Sequence, residues 1–173
     1  LRQDWIAEAL VYTEEYRLEY HKEGFMLERK EHRSRSDAAM ASRSKSEIPV
    51  LLYGYAGPRR NIGFTFSRYN LNMEEGGSAP EEMLFIYEED FEYLKPAVAR
   101  VFPVANPFTG EEQTSLDPCW ENPIPKSLWE SILSELEQQR VRDSELQDFL
   151  NQFISWARNH LRTADGIEIT GNL

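Results

Sequence analysis

Carboxylates are the most abundant side chains in this sequence with chemical potential, and they are concentrated. Residues 70–139 hold fifteen acids against Lys95, Arg100 and Lys126, so this window carries −12 of a net −11 and the rest of the chain sums to about +1. Two kinds of chemistry follow from such density. A pair of carboxylates in different surroundings serves as general acid and base, for which Glu88 with Asp90 or Asp117 with Glu121 are the nearest candidates. A solvated acidic face instead meets a cationic partner, and pairs arise there by abundance alone.

Other reactive groups are sparse. His21, His32, His160 and the single Cys119 show no metal-ligand spacing, so neither a metal nor another cofactor is expected. Cys119 lies in Asp117-Pro118-Cys119-Trp120, where a neighbouring acid disfavours a thiolate, and reads as a small buried hydrophobe. No G-x-S-x-G, P-loop or dinucleotide fingerprint is present. Arg59, Arg60 and Arg68 with Tyr53, Tyr55, Phe64, Phe66 and Tyr69 could form a base-stacking surface, but a chain of charge −11 repels polyanions. Nucleic acid is not an expected partner.

The elements that must position these groups are readable from periodicity. At 173 residues with 40% hydrophobic content, one domain over residues 1–173 is expected. Trp5, Ile6, Ala9 and Leu10 have helical spacing behind Asp4, giving a first helix. Alternation over 16–20 and 25–27 around Gly24 predicts a hairpin, although a charged helix competes for the segment. Residues 33–47 interleave serine with Arg and Lys and read as a flexible loop. Strands over 48–55 and 62–69, joined by turn-forming 56–61, predict a second hairpin, and 83–87 a buried strand.

Phe91, Leu94, Val98 and Val101 then predict a helix, with Pro96 in its first turn or at a kink. Five prolines make 103–126 irregular. Capping boxes at Ser127 and Ser144 open two amphipathic helices, and residues 166–170 suit a short closing strand or edge. The fold class is α+β: a mainly antiparallel sheet from two hairpins and one strand, covered by an N-terminal helix, the 91–101 helix and two C-terminal amphipathic helices.

No apolar run is long enough to span a membrane. No leader pattern is visible, and one cysteine fits a reducing, cytoplasmic compartment. Asn106-Pro107-Phe108-Thr109-Gly110-Glu111-Glu112, then Asp117-Pro118-Cys119-Trp120-Glu121-Asn122-Pro123-Ile124 and a helix beginning Ser127-Leu128-Trp129, resembles immunity proteins of bacterial polymorphic or contact-dependent toxin systems. The resemblance spans residues 106–129 and implies a small, cytosolic, non-catalytic protein that binds one toxin tightly. The basic Ser/Arg loop departs from it.

The expected function is therefore inhibition of a basic toxin, for example a nuclease, by occlusion of its active site. The expected contact set is Glu74, Glu75, Glu81, Glu82, Glu88, Glu89, Asp90, Glu92, Glu111, Glu112 and Glu121, anchored by Tyr87, Tyr93 or Trp120. A hydrolase or transferase with a carboxylate pair in 103–126, or a non-catalytic adaptor subunit, are the alternatives.

Overall fold

The computed structural model describes residues 16–21, 24–29, 48–72 and 78–173. The expected N-terminal helix, the 33–47 loop, Glu74 and Glu75 lie outside them. The chain divides into two compact units, Leu1–Ala38 and Ala39–Leu173.

In the first unit, β1 (Tyr16–His21) and β2 (Gly24–Arg29) pair antiparallel, with Tyr16 opposite Arg29 and His21 opposite Gly24. They form a two-stranded sheet of their own.

The second unit is α+β. Its sheet comprises β3 (Val50–Leu51), β4 (Gly63–Tyr69), β5 (Leu84–Tyr87), β8 (Glu121–Pro125) and β9 (Gly166–Asn172), in the order β3-β5-β4-β9-β8. The sheet is mixed: β3 runs parallel to β5 and the other three pairings are antiparallel. The expected second hairpin is thus not formed, because β5 lies between the two segments assigned to it. The chain from 166 onward is no edge but an interior strand between β4 and β8. Its residues Ile167, Ile169, Thr170 and Gly171 are all buried, as the inside of a sheet requires. The proline-rich stretch also holds more order than expected. It carries the short pair β6 (Val104–Ala105) and β7 (Glu112–Gln113) and then β8, where Pro123 and Pro125 suit an edge strand that needs fewer N–H donors.

The expected 91–101 helix is two shorter ones, α1 (Glu88–Phe91) and α2 (Lys95–Ala99). Pro96 lacks an N–H and clashes with a preceding turn, so it is accommodated in the first turn of α2. Two long helices follow, α3 (Lys126–Gln138) and α4 (Ser144–Leu161). Their caps differ from the expected boxes. The N-cap of α3 is Pro125, which offers no side-chain acceptor, and the N-cap of α4 is Asp143, whose carboxylate accepts from the amides of Glu145 and Leu146.

Alternation places Phe64, Phe66, Leu84, Ile86, Ile124, Ile167 and Ile169 on one face of the sheet. That face meets the apolar stripes of α3 (Trp129, Ile132, Leu133, Leu136) and α4 (Phe149, Leu150, Phe153, Ile154, Ala157, Leu161). Phe66 is fully buried at the centre, with ring contacts to Phe91, Trp129, Phe153 and Trp156. Trp129 donates its indole N–H to the Ile167 carbonyl at 2.9 Å, fixing α3 over β9. Phe66→Ala is expected to destabilise the fold by about 3–5 kcal/mol, measured by urea denaturation, because these rings cannot collapse into the space it leaves.

Candidate functional site

The register brings several chain segments to one end of the five-stranded sheet. Leu51 pairs with Ile86, Gly63 faces both Tyr87 and Asn172, and Glu121 pairs with Thr170. The loop after Leu51, the start of α1, the C-terminal residues and the 117–120 segment therefore share that end. From β5 to β8 is three strand spacings, about 14 Å.

Asp90 organises the first part of it. It is 1% exposed, and its carboxylate accepts the amides of Tyr53 (2.9 Å), Gly54 (2.8 Å) and Tyr55 (3.1 Å). These amides are consequently unavailable to a sheet partner, which is why β3 ends after two residues instead of running to Tyr55. The loop so held carries aromatic rings to fixed places. Tyr53 meets Tyr93 edge-on at 5.0 Å and donates its hydroxyl to Asp143 at 2.7 Å. Tyr55 lies on Tyr87 at 4.0 Å, and Arg60 sits over the Tyr55 ring while pairing with Glu89.

Asn122 organises the second part. It is fully buried on β8, and its carbonyl accepts from Gln113 Nε2 and from the Asp117 amide. Its amide group faces the carbonyls of Asp117, Trp120 and Ile169 at 2.8–2.9 Å. The Trp120 loop is pinned again where the Gly171 amide donates to the Trp120 carbonyl at 3.1 Å. A Cβ on Gly171 would collide with the Pro118 carbonyl, so the close approach requires glycine there.

The expected contact residues separate in space. Glu88, Glu89, Glu92, Tyr93, Trp120 and Glu121 lie at this end. Tyr93 is 41% and Trp120 55% exposed. Two of the expected set are instead internal: Asp90 is used by backbone amides, and Tyr87 is 4% exposed beneath Tyr55. Glu81 and Glu82 precede β5 while Glu88 follows it, so the strand, about 13 Å long, separates two acidic groups that are adjacent in sequence. Glu82 pairs with Arg68 near the far end of β4. Phe108, between β6 and β7, packs on Tyr69 at that far end; Glu111 follows in the same turn and Glu112 opens the returning strand.

The apolar residues complete the picture. Seven large hydrophobics are exposed among the described residues: Leu52, Ile62, Leu71, Tyr93, Phe108, Trp120 and Leu173. Five of them, all but Leu71 and Phe108, flank the strand ends where Glu88, Glu89, Glu92 and Glu121 lie. Cys119 belongs to the same end and is exposed, contrary to expectation, because it precedes β8 in a turn outside the core; its thiol donates to the Leu173 carbonyl at 3.3 Å.

The electrostatics favour charged carboxylates. Tyr53's hydroxyl, followed by the Leu146 and Glu145 amides, holds Asp143 below the usual carboxylate range. Glu89 is lowered by its own backbone amide and then by Arg60. Burial pushes Glu82 up, but the Ala79 amide and Arg68 together outweigh it and leave a lowered value. Among the described residues every carboxylate with a resolved shift moves downward, whereas a general acid working at neutral pH needs the opposite. The candidate acid-base pairs are engaged otherwise: Asp90 by three amides, and Asp117 by the Cys119 amide at 2.9 Å. Nor is the basic aromatic surface assembled, since Phe64 and Phe66 are in the core and Arg60 is paired. No cluster able to hold a metal ion occurs among the described residues, and no helix there is long and apolar enough to cross a membrane.

Sequence reasoning missed Asp90 and Asn122 as organisers, and the Tyr53–Asp143 bond between loop and helix. No protein-family model matches the chain, and comparisons with curated proteins and with solved structures yield no match either.

Asp90→Asn keeps the shape but halves the acceptor capacity and turns an NH₂ toward backbone donors. It is expected to cost about 2–3 kcal/mol in urea denaturation and to speed hydrogen exchange at the 53–55 amides. The Tyr53–Asp143 bond has two pH signatures. Asp143, lowered in the folded state, contributes stability above its ordinary value of 3.8 that is lost as pH falls through the folded value. Tyr53 is pushed up to about 12, chiefly by the hydrogen bond to Asp143, so its contribution is complete below pH 10 and is lost between about 10 and 12. Tyr53→Phe should remove this alkaline loss and shrink the acid one in denaturation curves across pH.

Proposed function

We propose that this chain is a protein-binding inhibitor whose acidic and apolar sheet end covers the cationic active site of a toxin, in the manner of an immunity protein. The observation that carries the reading is the convergence of Glu88, Glu89, Glu92 and Glu121 with Leu52, Ile62, Tyr93, Trp120 and Leu173 at that end. Apolar side chains exposed in a group supply burial on association, and Tyr and Trp are the residue types that dominate binding energy. The surrounding acids accelerate encounter with a basic surface and reject acidic competitors.

The acids are not bare. Glu89 pairs with Arg60, and Glu92 with Lys95 at 2.7 Å. Solvent-exposed pairs of this kind are worth about 0–1 kcal/mol, so a partner's Arg or Lys can exchange for the internal base at little cost. A nuclease-type toxin suits the face because its cleft is built to attract phosphate charge, which the carboxylates replace. Assignment to a toxin system rests on this surface chemistry together with the resemblance over 106–129.

The test begins with a pull-down from the source organism's lysate at low and high salt, followed by purification of the retained basic protein and assay of its activity. Inhibition of that activity by the wild-type chain is expected. Glu88→Gln/Glu89→Gln/Glu92→Gln should slow association and remove most of its salt dependence, and Trp120→Ala should cost about 2 kcal/mol or more of affinity. Full inhibition by both variants would sink the proposal.

A further inference from the structure

The groove between the two long helices has a different character. Lys126 and Glu130 of α3 face Ser155, Arg158, Asn159 and Leu161 of α4 and its C-cap Arg162 across an open groove of about 450 Å³. Three bases and one acid line it, in a chain where acids outnumber bases thirty to nineteen. Arg158 is already neutralised: it pairs with Glu137 at 2.9 Å and Glu130 at 3.6 Å, bracing α4 to α3. That brace also occupies the groove's acid.

What remains are donors. Ser155, Asn159 and Arg162 are four and three residues apart and share one helix face, opposite Lys126. None of these four side chains has a polar partner among the described residues. Buried Leu161 forms an apolar floor. A hydroxyl, an amide, a guanidinium and an ammonium, all solvent-exposed, can each donate and together make a donor set that an oxyanion with several acceptor oxygens satisfies.

Long-range repulsion does not forbid this. Lys126 follows Pro125, whose partner Gly166 starts β9; of the acids near that end Glu82 is paired with Arg68, and Glu88, Glu89, Glu92 and Glu121 lie at the Asn172 end. Seven residues of strand separate the two ends by about 23 Å, nearly three times the screening length of about 8 Å at physiological salt. We infer that the α3–α4 groove is a binding site for a phosphoryl group, held by Lys126 and Arg162 with Ser155 and Asn159.

The experiment titrates pyrophosphate into the ¹⁵N-labelled full chain at about 0.15 M salt. In parallel, phosphatidylcholine vesicles with and without phosphatidic acid are sedimented with the protein. Saturable shifts at amides of 126–130 and 155–162 are expected, with Lys126→Glu/Arg162→Glu weakening binding by about tenfold or more. Arg140→Glu/Arg142→Glu makes the same charge change elsewhere and should alter affinity by no more than about twofold. Lys126→Gln/Arg162→Gln repeats the test with a milder change, and thermal melts check that each variant folds. Pyrophosphate shifts without vesicle binding assign a free ligand; groove-dependent vesicle binding assigns a lipid-borne phosphate. Absence of saturable binding to both probes, or equal loss in the two glutamate variants, would overturn the site. The outcome is independent of the toxin reading, which concerns the other end of the sheet.

Discussion

One buried carboxylate sets the geometry of the sheet end. Asp90 is removed from water, and desolvating an ionised carboxylate is costly unless hydrogen bonds replace the lost hydration. The 53–55 amides supply them, and the dependence is mutual: the carboxylate needs the loop for solvation, and the loop needs the carboxylate for its backbone donors. The rest of the loop follows. Tyr53 reaches the cap of α4, Tyr55 covers Tyr87, and Arg60 is delivered to Glu89. Loop 52–61, α1 and the start of α4 thereby form one hydrogen-bonded assembly over the ends of β3 and β5.

Asn122 has the same logic at the other side of that end. A buried primary amide has two acceptor sites and two donor hydrogens, and here all of them face partners from the 113–120 loop and β9. Trp120 is therefore exposed on a loop anchored from beneath. An exposed indole on an anchored loop loses less conformational entropy on association than one on a free loop, which is the condition for a strong anchor. Both organisers are polar residues in the interior, and both act on neighbours that are exposed.

How much of this was legible follows from the range of each signal. Helical periodicity is local, so the stripes of α3 and α4 gave their existence and apolar faces directly, while their starts moved by one or two residues: Asp143 accepts two amides ahead of Ser144, and α3 begins straight after extended Pro125 with no side-chain cap. Strand segments 62–69, 83–87 and 166–170 were also visible. Their partners were not, because alternation says nothing about which strand lies alongside: turn-forming residues 56–61 suggested a hairpin, yet the amides that would have continued β3 were taken by Asp90, thirty-five or more positions away in sequence. Asp90 itself looked like one more member of an acidic run. Its burial depends on helix phase, which turns Asp90 and Phe91 inward while Glu89 and Glu92 remain outside.

The same short helix explains why an acidic window in sequence is not an acidic patch in space. Charges adjacent along the chain repel, and a strand inserted between Glu82 and Glu88 relieves that repulsion by sending the two groups to opposite ends of the sheet. Glu82 is then compensated by Arg68 and Glu89 by Arg60, each from a different segment. What is left at the sheet end is a smaller, mixed surface, and the mixture matters more than the total charge. Carboxylates alone would bind cations weakly and without selectivity in salt, and apolar residues alone would associate with any greasy surface. In the proposed inhibitor reading, their combination on anchored loops is what selects a cationic partner shaped to cover Tyr93 and Trp120 at once.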